Sequence, residues 1–429
     1  MALACFSCSA LSPKAAPRRA PDDPMPRSQF PPPSPPAHTT ALPAWLPLLL
    51  GFLTAIGPLS TDMYLPSFPA IEAGFGAPKG SAEMTLAAWF LGLAVGQMVQ
   101  GTLADRYGRR RPLLVGLGVF ILGSAGCALA PDIQTLAFCR FVAAFGGSAS
   151  TVLPRAVVRD IAEGYAAARL MSRLMLVMGA APILAPSLGG LMLQFGGWRQ
   201  IFWFGVAYAV ISSTLVWRML PETLPPERRL RLGPTDLLLR YLHILREKVF
   251  LTHAALGCAA MFLLFTYVGG SPGVFVGMFG LQPGAFAILF GVNAACFILA
   301  SQLNPPLLLR FGPVQVVRWT SYVMLAATLV LAAAAFSGQA TLSMILVPVA
   351  IASASTALIL PNSAVGALTR HSTQAGTASA LLGTLQFSIA GCSGILLGWL
   401  ADGSARPMAM LMVGSAVAAV VAERYRPRS

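Results

Sequence analysis

Charge is what this chain has least of. Only 10% of its 429 residues are Asp, Glu, Lys or Arg, against about 25% in a soluble globular protein. A surface that faces water cannot be built from so few. Acid is scarcer than base: 15 carboxylates stand against 29 Lys and Arg, a net charge of +14. Histidine is rare too. His38, His243, His253 and His371 are scattered, with no pair at metal-ligand spacing. No Walker-type phosphate loop occurs, which argues against ATP-driven work. Five of the seven cysteines lie inside apolar segments, so no disulfide framework is read. Cys5-x-x-Cys8 has the spacing of a metal or redox pair, but no second pair or histidine cluster accompanies it. These absences set aside a soluble enzyme, a disordered chain and a nucleic-acid binder. No metal and no cofactor is expected.

What is present is apolar. The chain is 56% hydrophobic with a mean hydropathy of +0.71. A helix needs about 20 apolar residues to cross the hydrocarbon core. From Pro43 onward the sequence offers twelve such blocks: 44–71, 82–103, 112–130, 134–158, 170–195, 199–219, 249–271, 283–303, 315–336, 341–362, 374–399 and 406–423. The expected fold class is an all-α membrane protein of twelve transmembrane helices.

Residues 1–41 stand apart. They are rich in proline and carry Lys14, Arg18, Arg19 and Arg27. Such a segment cannot bury enough surface to fold and reads as a disordered cytoplasmic tail. It lacks the apolar run of a secretory leader. Met25 is a second candidate start, which N-terminal sequencing would decide. The basic residues also orient the chain. The tail, the 2–3 loop (Arg106, Arg109, Arg110, Arg111), the 4–5 loop (Arg155, Arg159, Arg169, Arg173) and the segment Arg218 to Lys248 are rich in them, and the alternate loops hold only Lys79, Arg199 and Arg406. The positive-inside rule then puts both termini in the cytoplasm, in a bacterial inner membrane.

The two halves look related. Asp105-Arg-Tyr-Gly-Arg109 follows the second block and Leu309-Arg-Phe-Gly-Pro313 the eighth, an offset of 204. Leu153-Pro-Arg155 ends the fourth block and Leu360-Pro-Asn362 the tenth, an offset of 207. A six-plus-six duplication with a site between the halves is a transporter architecture. The expected division is a tail 1–41, a half 42–220, a cytoplasmic linker 221–247 and a half 248–429.

Two charges inside the blocks are the clearest functional signals, because a charge in a membrane helix is costly. Asp62 lies nine residues before Ile71, roughly 14 Å from the outer end at 1.5 Å per residue. Arg140 lies six residues into the fourth block, roughly 9 Å from the same face. One reading makes Asp62 a proton-coupling or cation-binding acid, positioned by Arg140. The other makes it a fixed ion pair or a hydrated headgroup-level acid.

The loop Gly101-Thr-Leu-Ala-Asp-Arg-Tyr-Gly-Arg-Arg-Arg111 is the strongest motif. Gly108 permits a positive φ. Asp105 is suited to face a helix N-terminus. Arg109 is placed to pair with Asp160, at the end of the fourth block. Contacts of this kind form a conformational latch, with Gly101, Asp105, Arg106, Gly108, Arg109 and Asp160 as its candidates.

This loop resembles the signature of the major facilitator superfamily, and Arg140-Phe-Val-Ala-Ala-Phe-Gly-Gly147 resembles that superfamily's fourth-helix motif. Thr61-Asp-Met-Tyr-Leu-Pro66, Arg155-Ala-Val-Val-Arg-Asp160 and Ala181-Pro-Ile-Leu-Ala-Pro-Ser-Leu-Gly-Gly190 are similar to the bicyclomycin-resistance (Bcr/CflA) group of drug:proton antiporters, as is Pro221-Glu-Thr-Leu224. The resemblance spans about 43–424. It implies a fold of two pseudo-symmetric six-helix halves and export of small amphipathic drugs in exchange for protons. It makes Asp62 and Arg140 the coupling residues and Pro186, Gly189 and Gly190 the antiporter motif. Ala185, Ala143 and Thr54 depart from the pattern common in such exporters.

For the substrate pocket the candidates are Asp62, Met175, Met178, Phe265, Tyr267, Asn293 and Gln386, with Phe262 beside them. Methionine and aromatic side chains adapt to varied apolar ligands. The alternative for each except Asp62 is ordinary packing. Gly146, Gly147, Gly189 and Gly190 read first as close-packing positions. The expected partners are a small-molecule substrate, protons and the lipid bilayer, with no nucleic acid. Nothing in the sequence requires more than a monomer. The rival function is transport of one endogenous metabolite, such as an amino acid or small peptide.

Overall fold

The computed structural model describes residues 45–162, 170, 174, 181, 184–229, 234–370 and 375–426. The tail 1–41 and most of the fifth predicted block, with Met175 and Met178, lie outside the described residues. Among the described residues all regular structure is helical. Ten helices there are long and apolar enough to cross a membrane.

The first span is interrupted. It runs as α1 (Trp45–Thr54), α2 (Ile56–Asp62), a 3-10 turn at Leu65–Ser67, and α3 (Phe68–Phe75). Pro58, Pro66 and Pro69 supply no backbone N–H, so the helical ladder fails around them. Broken helices are tolerated at membrane depth where protein groups take up the freed carbonyls. Asp62 sits at one such break.

Helices α4 (Ser81–Tyr107), α5 (Arg110–Leu129) and α6 (Ile133–Ile161) follow. Residues 184–196 are helical, and α7 spans Arg199–Met219. Glycine lets these helices touch. A Cβ on Gly146 would stand 2.5 Å from the Gly116 carbonyl oxygen, and one on Gly123 equally close to the Ala143 backbone nitrogen. Close approach through small residues is how membrane helices gain packing energy.

The predicted linker contains a helix, α8 (Pro234–Leu245). Its Tyr241 and Ile244 are buried against Phe250, Ala254, Ala367, Ala378, Leu381 and Leu382. Beyond it come α9 (Lys248–Ser271), a π-helical turn (Pro272–Met278), α10 (Pro283–Phe336), α11 (Leu342–Leu368), α12 (Ala375–Leu400) and α13 (Arg406–Tyr425).

Helix α10 is two spans in one. At Gly312 the backbone takes φ 74° and ψ 160°, a conformation open essentially to glycine alone. These two pieces match the eighth and ninth predicted blocks. Gly108, between α4 and α5, takes nearly the same conformation, φ 94° and ψ 174°. The two glycines are 204 positions apart, the offset read from the sequence. The duplication is therefore written in backbone geometry as well as in motif. One expectation is corrected. Pro154 and Pro361 do not end their helices; α6 runs on to Ile161 and α11 to Leu368.

The two sets of spans meet along α4 and α12. Thr384 Oγ1 donates to the Ala94 carbonyl at 3.3 Å. Gly391 and Gly394 lie against Ala87, and Gly80 and Gly398 are so close that a Cβ on either would overlap the other's carbonyl.

Candidate functional site

A cavity of about 270 Å³ lies between the two sets of spans. The first span contributes Thr54, Gly57, Pro58, Thr61 and Asp62 to its wall. Phe90, Phe265, Tyr267, Phe290, Phe297 and Phe387 make its aromatic wall. Phe90 is the hinge of this aromatic wall, with ring centroids 4.1 Å from Phe265 and 6.3 Å from Phe387. Asp62 is the one acid among the described residues lining the cavity, and it makes no ion pair or hydrogen bond there. It is 7% exposed.

Two more polar groups face the same space without partners. The Tyr267 hydroxyl is buried and unbonded, and so is Asn293 Nδ2. Ser353 Oγ donates to Asn293 Oδ1 at 2.9 Å, which leaves the amide nitrogen as Asn293's free group. Of the predicted pocket residues, the structure brings Asp62, Phe265, Tyr267 and Asn293 together. Gln386 is not among them. Its amide nitrogen lies beside Gly257 and Ser363, where it fills the space a Cβ on Gly257 would take.

Arg140 is not next to Asp62. It lines a separate, small cavity with Ser60, Met63, Trp89 and Phe202. Its guanidinium lies 4.4 Å from the Tyr64 ring centroid and 4.5 Å from that of Trp89, with Phe202 at 5.9 Å. Arg140 Nη1 donates to the Ser60 carbonyl at 2.9 Å. No carboxylate meets this guanidinium among the described residues; aromatic faces and a carbonyl of the broken helix take that place. Tyr64 is itself held, its hydroxyl 2.6 Å from Thr85 Oγ1. Arg140 thus reaches Asp62 only through the backbone, two residues away.

Of the latch candidates, Asp105, Arg109 and Asp160 come together. Arg109 Nε donates to Asp160 Oδ2 at 2.8 Å, and Nη1 to Asp105 Oδ1 at 2.6 Å. Gly108 supplies the sharp turn. Arg106 lies outside the cluster, over the Tyr107 ring at 5.4 Å. Gly101 meets nothing within 4 Å at the Cβ position. The carboxylate at the start of α5 is Glu222, not Asp105. It accepts from Arg109 N at 2.7 Å, from Arg110 N at 3.3 Å and from Leu224 N at 3.1 Å. Partial burial pushes the Glu222 carboxyl up, but these three N–H donors and nearby Arg229 outweigh it and hold the group below the usual glutamate range. Thr223 Oγ1 donates to Asp160 Oδ2 at 3.2 Å.

Of the antiporter-motif residues, Gly189 packs on the broken helix. Pro186 is buried. A Cβ on Gly189 would overlap the Met63 carbonyl, the residue after Asp62. At Gly190 the nearest atom, the Pro283 carbonyl oxygen, is 3.5 Å away, an ordinary contact.

A broken first helix, a cavity between two sets of spans and a repeated glycine turn form one recognisable arrangement. The family model of the Major Facilitator Superfamily matches residues 50–395. The chain belongs to this superfamily. It is 33% identical over 378 residues to the uncharacterized MFS-type transporter YdgK of Bacillus subtilis (strain 168), covering 87% of this chain and 92% of that one. It is 28% identical over 384 residues to a bicyclomycin resistance protein homolog of Haemophilus influenzae, covering 87% and 94%. Among solved structures, a bacterial homolog of the human lysosomal transporter Spinster, in an inward-facing and unoccupied conformation, superposes with a TM-score of 0.69 at 15% identity, covering 89% and 95%. That likeness concerns the fold.

This superfamily transporter carries features that sequence reasoning missed. Phe90, Phe290, Phe297 and Phe387 carry no motif, and only the packing of α4, α10 and α12 brings them to one cavity. Glu222 and Thr223 were visible as a motif but had no role until the end of α7 was seen against the 108–110 turn. Glu83 sits at the edge of an apolar block and reads as an end charge, yet it is buried.

Proposed function

We propose that this transporter is a proton-coupled exporter of small amphipathic compounds, bicyclomycin- or phenicol-like, working by alternating access. The observation that carries this reading is Asp62, an unpartnered acid on a broken helix, facing an aromatic cavity. The cavity, about 270 Å³, is just smaller than the roughly 300–1,000 Å³ usual for small-molecule sites. An acid in such a place binds either a proton or the substrate's donor group, and the competition between them links the two flows. Support for export comes from relatives whose names record drug resistance, among them a chloramphenicol resistance protein of Pseudomonas aeruginosa, 33% identical over 177 residues, 41% of this chain and 42% of that one.

In this reading 42–220 and 248–429 are the moving halves, joined by 221–247. Both termini lie in the cytoplasm of a bacterial inner membrane. The Asp105–Arg109–Asp160 cluster, closed by Glu222 and Thr223, holds the cytoplasmic end of the first half together. Protons and the compound are the only cargo, no chemical conversion occurs, and a monomer suffices.

The test is drug uptake into inverted vesicles under an imposed proton gradient. Wild type should accumulate drug. Asp62→Asn should lose gradient-driven accumulation by at least tenfold while keeping drug exchange. Equal accumulation by both would place the coupling acid elsewhere.

A second reading has one observation in its favour. The unbonded Tyr267 hydroxyl and Asn293 amide are suited to one hydrogen-bonding pattern, and sites of that kind reject analogues that lack it. That would make the cargo a single metabolite. Competition by many unrelated drugs supports export of a broad class; one tight competitor supports the metabolite.

A further inference from the structure

A third cavity, of about 160 Å³, lies at the far end of the molecule from the latch. Glu72, Lys79, Gly80 and Glu83 line it from the first half, and Gly273 and Met408 are among those facing them. Glu83 is 7% exposed, and its Oε2 is buried with no hydrogen-bond partner. Glu72 is the neighbouring carboxyl. Its Oε1 is already engaged, accepting from Gly80 N at 2.8 Å and Ala82 N at 3.2 Å. The Gly80 and Ala82 N–H groups at the start of α4 are therefore taken by Glu72.

The seam around this cavity is closed. A Cβ on Gly273 would stand 3.5 Å from Glu83 Oε1, and Gly80 and Gly398 touch through their backbones. The charged groups nearby do not neutralise Glu83. Lys79 turns toward Gly403, with Nζ 3.1 Å from the Cβ position there. Asp402 accepts from the Ser404 amide and hydroxyl at 2.8 and 2.7 Å, and Arg406 lies over the Phe336 ring. No lining residue from the second half is charged. Two adjacent carboxyls, one of them buried with an oxygen that no donor meets, cannot both stay ionised at low cost.

We infer that Glu83 is a proton-binding site that senses the pH outside the cell and locks the outer mouth shut when protonated. In the closed seam the Glu83 carboxyl holds a proton. When the seam parts, water reaches the carboxyl and the proton leaves. Closure is then favoured by acid, by up to about tenfold per pH unit in the window between the closed and open affinities. The proton enters and leaves on one side, so it adds nothing to the protons carried per cycle. The placement outside the cell rests on the orientation proposed above; the linkage of proton to closure does not.

The experiment is a distance measurement across the outer mouth between pH 5 and 9. Nitroxides on unnatural amino acids at exposed Ala73 and Gln282 leave the native cysteines in place. The full chain is held in lipid nanodiscs and read by electron double resonance. The parent should show the short-distance population dominant at pH 5 and a longer one growing toward pH 9. Glu83→Gln should keep the short distance throughout. Asp62→Asn should keep the parent's pH response even where it loses gradient-driven transport, so the two proposals fail separately. A parent distribution that does not move with pH overturns the inference, whatever the variants do. So does a Glu83→Gln protein that titrates like the parent.

Discussion

Arg140 shows how much a single intramembrane charge depends on its neighbours. Its cation is balanced by two ring faces and one carbonyl, and Nε and Nη2 have no hydrogen-bond partner. A cation over a desolvated ring is worth about 2 kcal/mol. The planar guanidinium fits between Tyr64 and Trp89; a lysine ammonium has the charge without the plane. Arg140→Lys should therefore lower stability by about 1–2 kcal/mol, read as a lower thermal midpoint in detergent. A variant as stable as wild type would deny the stack its role. A double-mutant cycle of Arg140→Lys with Asp62→Asn should give little coupling, since the two side chains face different cavities. The sequence announced both charges, because a charge in an apolar block is costly. It gave their depth along the helix axis but not their bearing around it. The break after Asp62 resets that bearing, and no periodicity carries across the prolines.

At the scale of the element, glycine makes the turns at Gly108 and Gly312 and lets helices touch at Gly189. At Gly189 the backbone is ordinary but the Met63 carbonyl occupies the Cβ position; at Gly190 the nearest atom is 3.5 Å away. Overpacking of this kind costs typically 1–3 kcal/mol, and here it presses on the residue next to Asp62. Gly189→Ala should cut transport at least tenfold at normal membrane abundance, while Gly190→Ala should stay within about twofold. Equal effects would show that the antiporter motif acts otherwise than by fit to the broken helix. The same logic applies to the paired turns. Gly312 has open space around it and φ 74°, whereas Gly108 adds the Glu222 carboxylate at its Cβ position. Alanine at Gly312 should cost only the backbone strain, about 1–3 kcal/mol, and alanine at Gly108 more. The sequence offered both turns as a weak motif match at one offset. It could not offer the run-through of Pro154 and Pro361, because a proline in a membrane bundle is tolerated whenever neighbours take up the freed carbonyl.

Across the whole molecule, titratable groups stand at three heights: the latch, the cavity and the outer seam. They should not answer to the same pH. Glu222 ties the end of α7 to the turn before α5, with Thr223 bonded to Asp160, so the first half's end moves as one body. Its carboxyl is held below the ordinary glutamate range, about 4.3. A group with a depressed folded pKa contributes stability that is present above its unfolded value and lost as pH falls through the folded one. The Glu222 contacts are therefore complete throughout the range from about 5 to 8 and fail only in stronger acid. Glu222 is therefore no source of pH dependence in that range. Glu222→Gln should then slow transport by a similar factor at every pH from about 5 to 8, because a neutral amide accepts the same N–H bonds less strongly. The measurement is initial uptake rate in inverted vesicles across that range, normalised to protein. A parallel lowered curve agrees with a purely mechanical latch. A curve whose midpoint moves would make Glu222 a proton sensor, against the direction its three N–H donors impose.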